Sequence, residues 1–93
     1  MADNLFLKNY MEDCVWELLD EVLARDPGAC RCAICRYDIA ALALNQLPPR
    51  YVVREKGVVY SKVAMLEVQH RADIYRAITQ ALMTVKQNPR HGN

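Results

Sequence analysis

The sequence predicts a mainly α-helical fold: a small three-helix domain with a short β-hairpin between helices 2 and 3. Three observations predict it. Apolar residues recur at helical spacing in three long segments, a proline follows each segment, and a stretch rich in β-branched and aromatic residues separates the last two. The chain of 93 residues has the length of one domain. We therefore expect residues 1–93 to form a single domain, with an ordered core over about residues 5–88.

The first predicted helix covers residues 5–24, where apolar residues form one stripe and acidic residues cover the other face. It ends before Pro27-Gly28, because a residue ahead of proline avoids helical geometry and glycine permits a turn. A later start, at residue 9 or 10, is the alternative. It follows from Asn9-x-x-Glu12, which has the spacing of a helix capping box.

The second predicted helix covers about residues 33–46. Residues 39–44 are apolar on nearly every side, which is typical of a central, buried helix. Leu47 precedes two prolines and must be extended, so the helix ends there.

Residues 51–54 and 58–60 are the two predicted strands of the hairpin. The three residues between them place Gly57 at the left-handed position of the turn. The third predicted helix covers about residues 62–87, with Ser61 as its N-cap and Asn88-Pro89 after its end. Residues 90–93 are expected to fray.

Composition and charge argue against several classes of function. The net charge of +1 argues against binding of bulk nucleic acid. No apolar run reaches the ~18 residues of a membrane-spanning helix, and the first residues do not resemble a signal peptide, so we expect a cytoplasmic protein without membrane insertion. The chain has no phosphate-binding glycine loop, no nucleophile elbow and no His-Glu-x-x-His motif, so we expect it not to be an enzyme.

The charge is unevenly distributed along the chain. Residues 1–45 hold 4 basic and 8 acidic side chains, a charge of −4, and residues 46–93 hold 8 basic and 3 acidic ones, a charge of +5. Either an acidic helix lies beside a basic one, or the basic half lines a site for a small anionic ligand. The broad apolar stripes exceed what a monomer of this size can cover, which predicts a homodimer.

Three of the four cysteines form the pattern Cys30-x-Cys32-x-x-Cys35, at the predicted start of the second helix. This spacing brings sulfurs together, and the helix dipole favours thiolates there. Zinc requires four ligands in a tetrahedron, so we predict a structural Zn²⁺ site with Cys14 as the fourth ligand. His70, His91 or a residue of another chain are its substitutes. Plain reduced thiols and thiol redox chemistry are the alternatives. Four sulfur ligands would close the site to catalysis.

Three local patterns together resemble the ComFB family of late competence development proteins. They are Asn9-x-x-Glu12, then Cys30-x-Cys32-x-x-Cys35 with Asp38 after it, and then Ala43-Leu44-Asn45-x-Leu47-Pro48-x-x-Tyr51. The resemblance covers about residues 8–85. It implies a small, mainly helical, dimeric protein that holds zinc through its cysteines. Several family members are receptors for cyclic dinucleotides.

The resemblance therefore implies a regulatory protein that binds c-di-GMP or c-di-AMP. Arginine forks suit the two phosphates of such a ligand, and aromatic rings and guanidinium planes suit its purines. The candidate ligand-binding residues are Lys8, Asn9, Glu12, Arg50, Tyr51, Arg54, Arg71 and Arg76. The alternative for most of them is an ordinary surface or capping role. The alternative function is a zinc-stabilised structural or adaptor protein that binds a protein partner in a competence- or motility-related assembly, without a small ligand. A thiol redox sensor is the third hypothesis.

Overall fold

The structure, a computed structural model, describes residues 5–55 and 61–90, and only the backbone of residues 54, 55 and 61–69. The described residues form five elements in this order: β1 (Leu5–Asn9), α1 (Tyr10–Ala24), α2 (Ala33–Gln46), β2 (Tyr51–Glu55) and α3 (Ser61–Gln87). Three helices and a two-stranded antiparallel sheet confirm the predicted fold class.

The sheet pairs strands from distant parts of the chain. β1 and β2 run antiparallel, with Leu5 opposite Glu55 and Asn9 opposite Tyr51. β2 confirms the first predicted strand, but its partner is β1, which the apolar stripe had assigned to the first helix. The other predicted strand, residues 58–60, lies outside the described residues, as does Gly57 of the predicted turn.

α1 begins at Tyr10 because Asn9 caps it, and the later of the two predicted helix starts is therefore the correct one. The backbone of Asn9 is extended, and its Oδ1 accepts a hydrogen bond from the backbone N–H of Met11 at 3.2 Å. The same oxygen accepts the N–H of Arg50 at 2.9 Å, and the N–H of Tyr10 donates to the Arg50 carbonyl at 2.6 Å. One side chain thus joins the start of α1 to the segment that enters β2.

The core lies between the three helices and is lined by apolar side chains, with no buried polar or charged residue in the described part of the chain. Val15, Leu19, Ile39, Ile74 and Ile78 are among the most completely buried.

α2 differs from the expectation of a helix buried on all sides. It buries one face, formed by Cys35, Ile39, Ala40 and Ala43, while Leu42 is exposed on another. Of the other residues in the apolar run, Ala41 is exposed like Leu42, and Leu44 is partly buried against the core. Among the described residues, no helix combines the length and the apolar character that crossing a bilayer demands.

Candidate functional site

Three cysteine sulfurs converge at the start of α2. The ligand atoms of Cys30, Cys32 and Cys35 all lie within 4.8 Å of one another. Cys32 is the N-cap of α2, and its Sγ accepts the backbone N–H of Cys35 at 3.5 Å. Cys35 is buried in the first turn of the helix, whereas Cys30 is exposed in the preceding loop. The pattern Cys-x-Cys-x-x-Cys therefore builds a cluster that is anchored in the core and open to solvent on one side.

Arg31 fixes the cysteine loop onto the end of α1. Its guanidinium donates to the backbone carbonyl of Leu23, in the last turn of α1, and to that of Ala29 at 3.1 Å. The last carbonyls of a helix have no partner within the helix, and a basic side chain there satisfies them and complements the helix dipole. The loop that carries the sulfurs is therefore tied to a defined point on α1.

The thiols of the cluster have different acidities. Hydrogen bonding by the backbone N–H of Cys35, and then by the side chain of Cys30, lowers the pKa of Cys32. Burial, and then hydrogen bonding with Cys32 and Cys30, raises the pKa of Cys35 to about 12. Cys32 thus ionises more readily than Cys35, which keeps its proton at neutral pH unless a cation takes the proton's place.

The cluster fits a zinc ion. Sulfurs at about 2.3 Å from a tetrahedral zinc lie roughly 3.8 Å apart, and the observed separations are compatible with that spacing after small side-chain rotations. Cys30, Cys32 and Cys35 would hold the ion and fill three of its four positions. Cys14 is not a member of this group; it is buried in the middle of α1. His70 lies on α3 outside the group, and His91 lies outside the described residues.

The predicted ligand-binding residues fall into two separate groups. The first lies at the sheet and the first turn of α1 and contains Lys8, Asn9, Glu12, Arg50, Tyr51 and Arg54. The second lies on α3 and contains Arg71 and Arg76. Arg71 pairs with Glu21, which is 12 residues beyond Asn9, or about 18 Å along the axis of α1. The structure does not bring the two groups together within one chain.

Two residues of the first group have structural partners. Asn9 caps α1, as described above, and Lys8 pairs with Asp13 through Nζ and Oδ1 at 3.1 Å. Tyr51 is exposed on the sheet, and Glu12 is exposed in the first turn of α1. This end of the molecule offers few converging cations in the described side chains.

The second group lines a cleft of about 590 Å³ between α1 and α3. Arg71 donates to Glu21 Oε2 at 2.6 Å, and Arg76 lies 3.8 Å from Asp73. The cleft also holds two residues that sequence reasoning missed. These are Arg25 and Tyr75, and the Arg25 guanidinium lies over the Tyr75 ring, 5.4 Å from its centroid. The four-residue spacing from Arg71 to Tyr75 was the available signal, because it places both on one face of a helix.

Comparisons with known proteins agree on one family. The family described as "Late competence development protein ComFB" matches residues 8–89. The "Competence protein ComFB" of Bacillus subtilis (strain 168) is 30% identical over 83 residues, which cover 89% of this chain and 85% of that protein. A solved structure described as "Structural characterization of the late competence protein ComFB from Bacillus subtilis" superposes with a TM-score of 0.72 at 26% identity. That match covers 92% of this chain and 97% of the solved chain.

Proposed function

The chain belongs to the ComFB family and is a competence-related protein of that type, and from this premise we propose a non-enzymatic regulatory protein that binds a cyclic dinucleotide. The ligand is c-di-GMP or c-di-AMP, and a structural Zn²⁺ held by the cysteine cluster stabilises the fold. The four cysteines form no disulfide, which suits a reducing compartment, so the proposal places the protein in the cytoplasm.

The observation that carries the ligand proposal is the cleft between α1 and α3. It presents three arginines and one tyrosine, Arg25, Arg71, Arg76 and Tyr75. Arginine binds phosphate oxygens through two parallel N–H groups, and purines stack on tyrosine rings and guanidinium planes. The cleft is shallow and largely open to solvent, so a ligand there would lie across the tyrosine ring and the arginines without being enclosed.

The carboxylates that pair with the arginines of the cleft do not prevent a phosphate from binding. Arg71 pairs with Glu21 and Arg76 with Asp73, and all four side chains are substantially exposed. Exposed ion pairs contribute about 1 kcal/mol or less, so breaking one of them reduces the free energy of phosphate binding by no more than that.

Isothermal titration calorimetry with c-di-GMP and c-di-AMP at physiological salt tests the proposal. Loss of a hydrogen bond to a charged group costs about 1.5–3 kcal/mol, so Arg71→Ala should weaken binding by roughly 10- to 150-fold. Arg36→Ala is the matched control, because Arg36 also makes an exposed arginine–carboxylate pair, with Asp20, away from the cleft. If Arg71→Ala and Arg36→Ala bind the nucleotide equally well while Arg50→Ala loses binding, the ligand lies at the sheet. No heat at ~100 μM of either nucleotide would contradict the receptor function.

The second candidate function is a zinc-stabilised structural or adaptor protein in a competence- or motility-related assembly, without a small ligand. The cysteine cluster favours it, because a stabilising metal site requires no ligand-binding role. Thermal unfolding separates the two functions: a chelator lowers the melting temperature under both, whereas a cyclic dinucleotide raises it only for the receptor.

The proposal includes a homodimer. The support is an apolar sheet face, since Leu7 pairs with Val53 and the two side chains are 72% and 51% exposed. Leu5 and Tyr51, two positions along each strand, share this face and are also exposed. Exposed apolar patches of this kind are typical of interfaces. Light scattering at micromolar concentration should return twice the chain mass of 10.7 kDa, and a monomer mass would contradict the dimer.

A further inference from the structure

We propose that an exposed aromatic surface between α1 and α2 docks an arginine-bearing segment of a protein partner. The aromatic surface is formed by Trp16 of α1 and by Ile34 and Tyr37 of α2. Glu12 lies one turn before Trp16 on the same face of α1. This docking requires neither the proposed nucleotide nor the proposed zinc, because none of these residues lines the cleft or belongs to the cysteine cluster.

The aromatic surface exposes large apolar side chains. Tyr37 is 66% exposed and Ile34 is 42% exposed, and their three-residue spacing places both on one side of α2. The Tyr37 ring packs edge-on against the Trp16 ring, with the ring centroids 5.0 Å apart and the ring planes at 70°. Trp16 packs against the core, which fixes the position of the pair. Exposed aromatic side chains that are held in place by their neighbours are typical anchors of protein interfaces.

The chain's own Arg36 shows which group the aromatic surface binds. Its guanidinium lies over the Trp16 ring, 6.0 Å from the centroid, and its Nη1 pairs with Asp20 Oδ1 at 2.5 Å. Asp20 is one turn after Trp16, so an aromatic ring and a carboxylate one turn away together hold a guanidinium. This combination suits arginine better than lysine, because the planar guanidinium stacks on a ring and donates hydrogen bonds at the same time.

Glu12 has the same relation to Trp16 in the opposite direction along α1. It is exposed, and it forms no ion pair with a described side chain. Lys8, the basic residue one turn before it in the sequence, pairs with Asp13 instead. A guanidinium supplied by a partner would therefore pair with Glu12 while it stacks on the aromatic pair, as Arg36 does with Asp20.

The charge of this side of α1 selects a basic partner. Two ion pairs neutralise Asp13 and Asp20, which leaves Glu12 and Glu17 as exposed carboxylates without an ion-pair partner among the described side chains. The whole chain carries a net charge of +1, so it does not attract cationic peptides in general. Binding of a basic peptide would thus report a local surface rather than the overall charge.

The fluorescence of Trp16, the single tryptophan of the chain, measures docking directly. The probes are three peptides of equal length in which alanine alternates with arginine, lysine or glutamate. The arginine peptide should shift the Trp16 emission saturably, the lysine peptide should bind more weakly, and the glutamate peptide should not bind. Tyr37→Ala and Glu12→Gln should each weaken binding of the arginine peptide by about two- to fivefold, as expected for one exposed cation–π contact or ion pair.

Two matched control variants should bind the arginine peptide as the wild type does. Asp73→Asn removes one exposed carboxylate, as Glu12→Gln does, but on α3. Leu42→Ala truncates an exposed apolar side chain of α2, as Tyr37→Ala does, but outside the aromatic surface. All four replaced side chains are exposed, so the far-ultraviolet circular dichroism of the variants should match that of the wild type.

Three results would overturn the proposal. If the arginine peptide causes no saturable change in emission, the aromatic surface is not a docking site for arginine. If the arginine and lysine peptides bind equally well and Tyr37→Ala has no effect, the response is to charge alone. If the Trp16 emission of the protein by itself changes on dilution, and Tyr37→Ala abolishes that change, a second copy of the chain covers the surface.

Discussion

Replacing Asn9 by alanine separates a capping role from a ligand-binding role for this residue. Its Oδ1 accepts two backbone N–H groups, from Met11 at 3.2 Å and from Arg50 at 2.9 Å. Loss of an N-cap costs about 0.5–2 kcal/mol. The bond to Arg50 is exposed, so water compensates for part of its loss and it adds no more than about 1 kcal/mol. We expect Asn9→Ala to lower the free energy of unfolding by about 0.5–3 kcal/mol. For a domain of this size, each 1 kcal/mol corresponds to roughly 4–8 °C in melting temperature.

Urea unfolding followed by helical circular dichroism measures this loss. Protein and zinc concentrations must be the same for all variants, because dimerisation and metal binding both shift the apparent stability. Asn9→Asp keeps the acceptor oxygen and should stay within about 0.5 kcal/mol of the wild type. If Asn9→Ala unfolds at the wild-type urea concentration, the capping account is refuted. A loss of nucleotide binding at unchanged stability would then identify Asn9 as a ligand residue.

Two further predictions concern the loop before α2 and the sheet. The hydrogen bond from Lys86 lowers the pKa of Asp26 in the folded protein. This pair therefore stabilises the folded state above pH ~3.9, the pKa of an aspartate in the unfolded chain, and the stabilisation is lost as the pH falls through the lower pKa of the folded state. Asp26→Asn should therefore be less stable than the wild type at pH 7, and the difference in melting temperature between the two proteins should disappear as the pH is lowered to 2. A difference in melting temperature that stays constant with pH would contradict this. Val53→Lys should convert the dimer to a monomer in light scattering, whereas Met83→Lys, at an equally exposed apolar position on α3, should not; a dimer in both variants would exclude the sheet face as the interface.

Local signals in the sequence predicted the helices well and the first strand poorly. α2 spans Ala33–Gln46, as predicted, because a capping cysteine precedes it and two prolines follow it. The segment Leu5–Asn9 extended the apolar stripe of α1, but it is a strand because β2 lies beside it. Its partner is more than 40 residues away in the sequence, and no local pattern reports such a pairing.

The difference between local contacts and contacts across the chain also explains the outcome for the two candidate sites. Three cysteines within six residues can meet through one turn and one helix start, so the sequence located this cluster. The cleft depends on how α1 crosses α3, which brings Arg25, the C-cap residue of α1, over Tyr75 of α3. Periodicity identifies the faces of each helix but not their crossing point. Residue type and spacing therefore identified Arg71 and Arg76 but did not separate them from the candidate residues at the far end of α1.

The two candidate sites meet at the C-terminal end of α1. The Leu23 carbonyl receives the Arg31 side chain of the cysteine loop, while Glu21 and Arg25, on either side of Leu23, line the cleft. A metal that orders the cysteine loop would also order this last turn, because the loop is bonded to it. The turn presents Arg25 to Tyr75 and Glu21 to Arg71. A structural zinc ion would thus affect the cleft by fixing the position of one helix end, without any contact between the metal and a ligand.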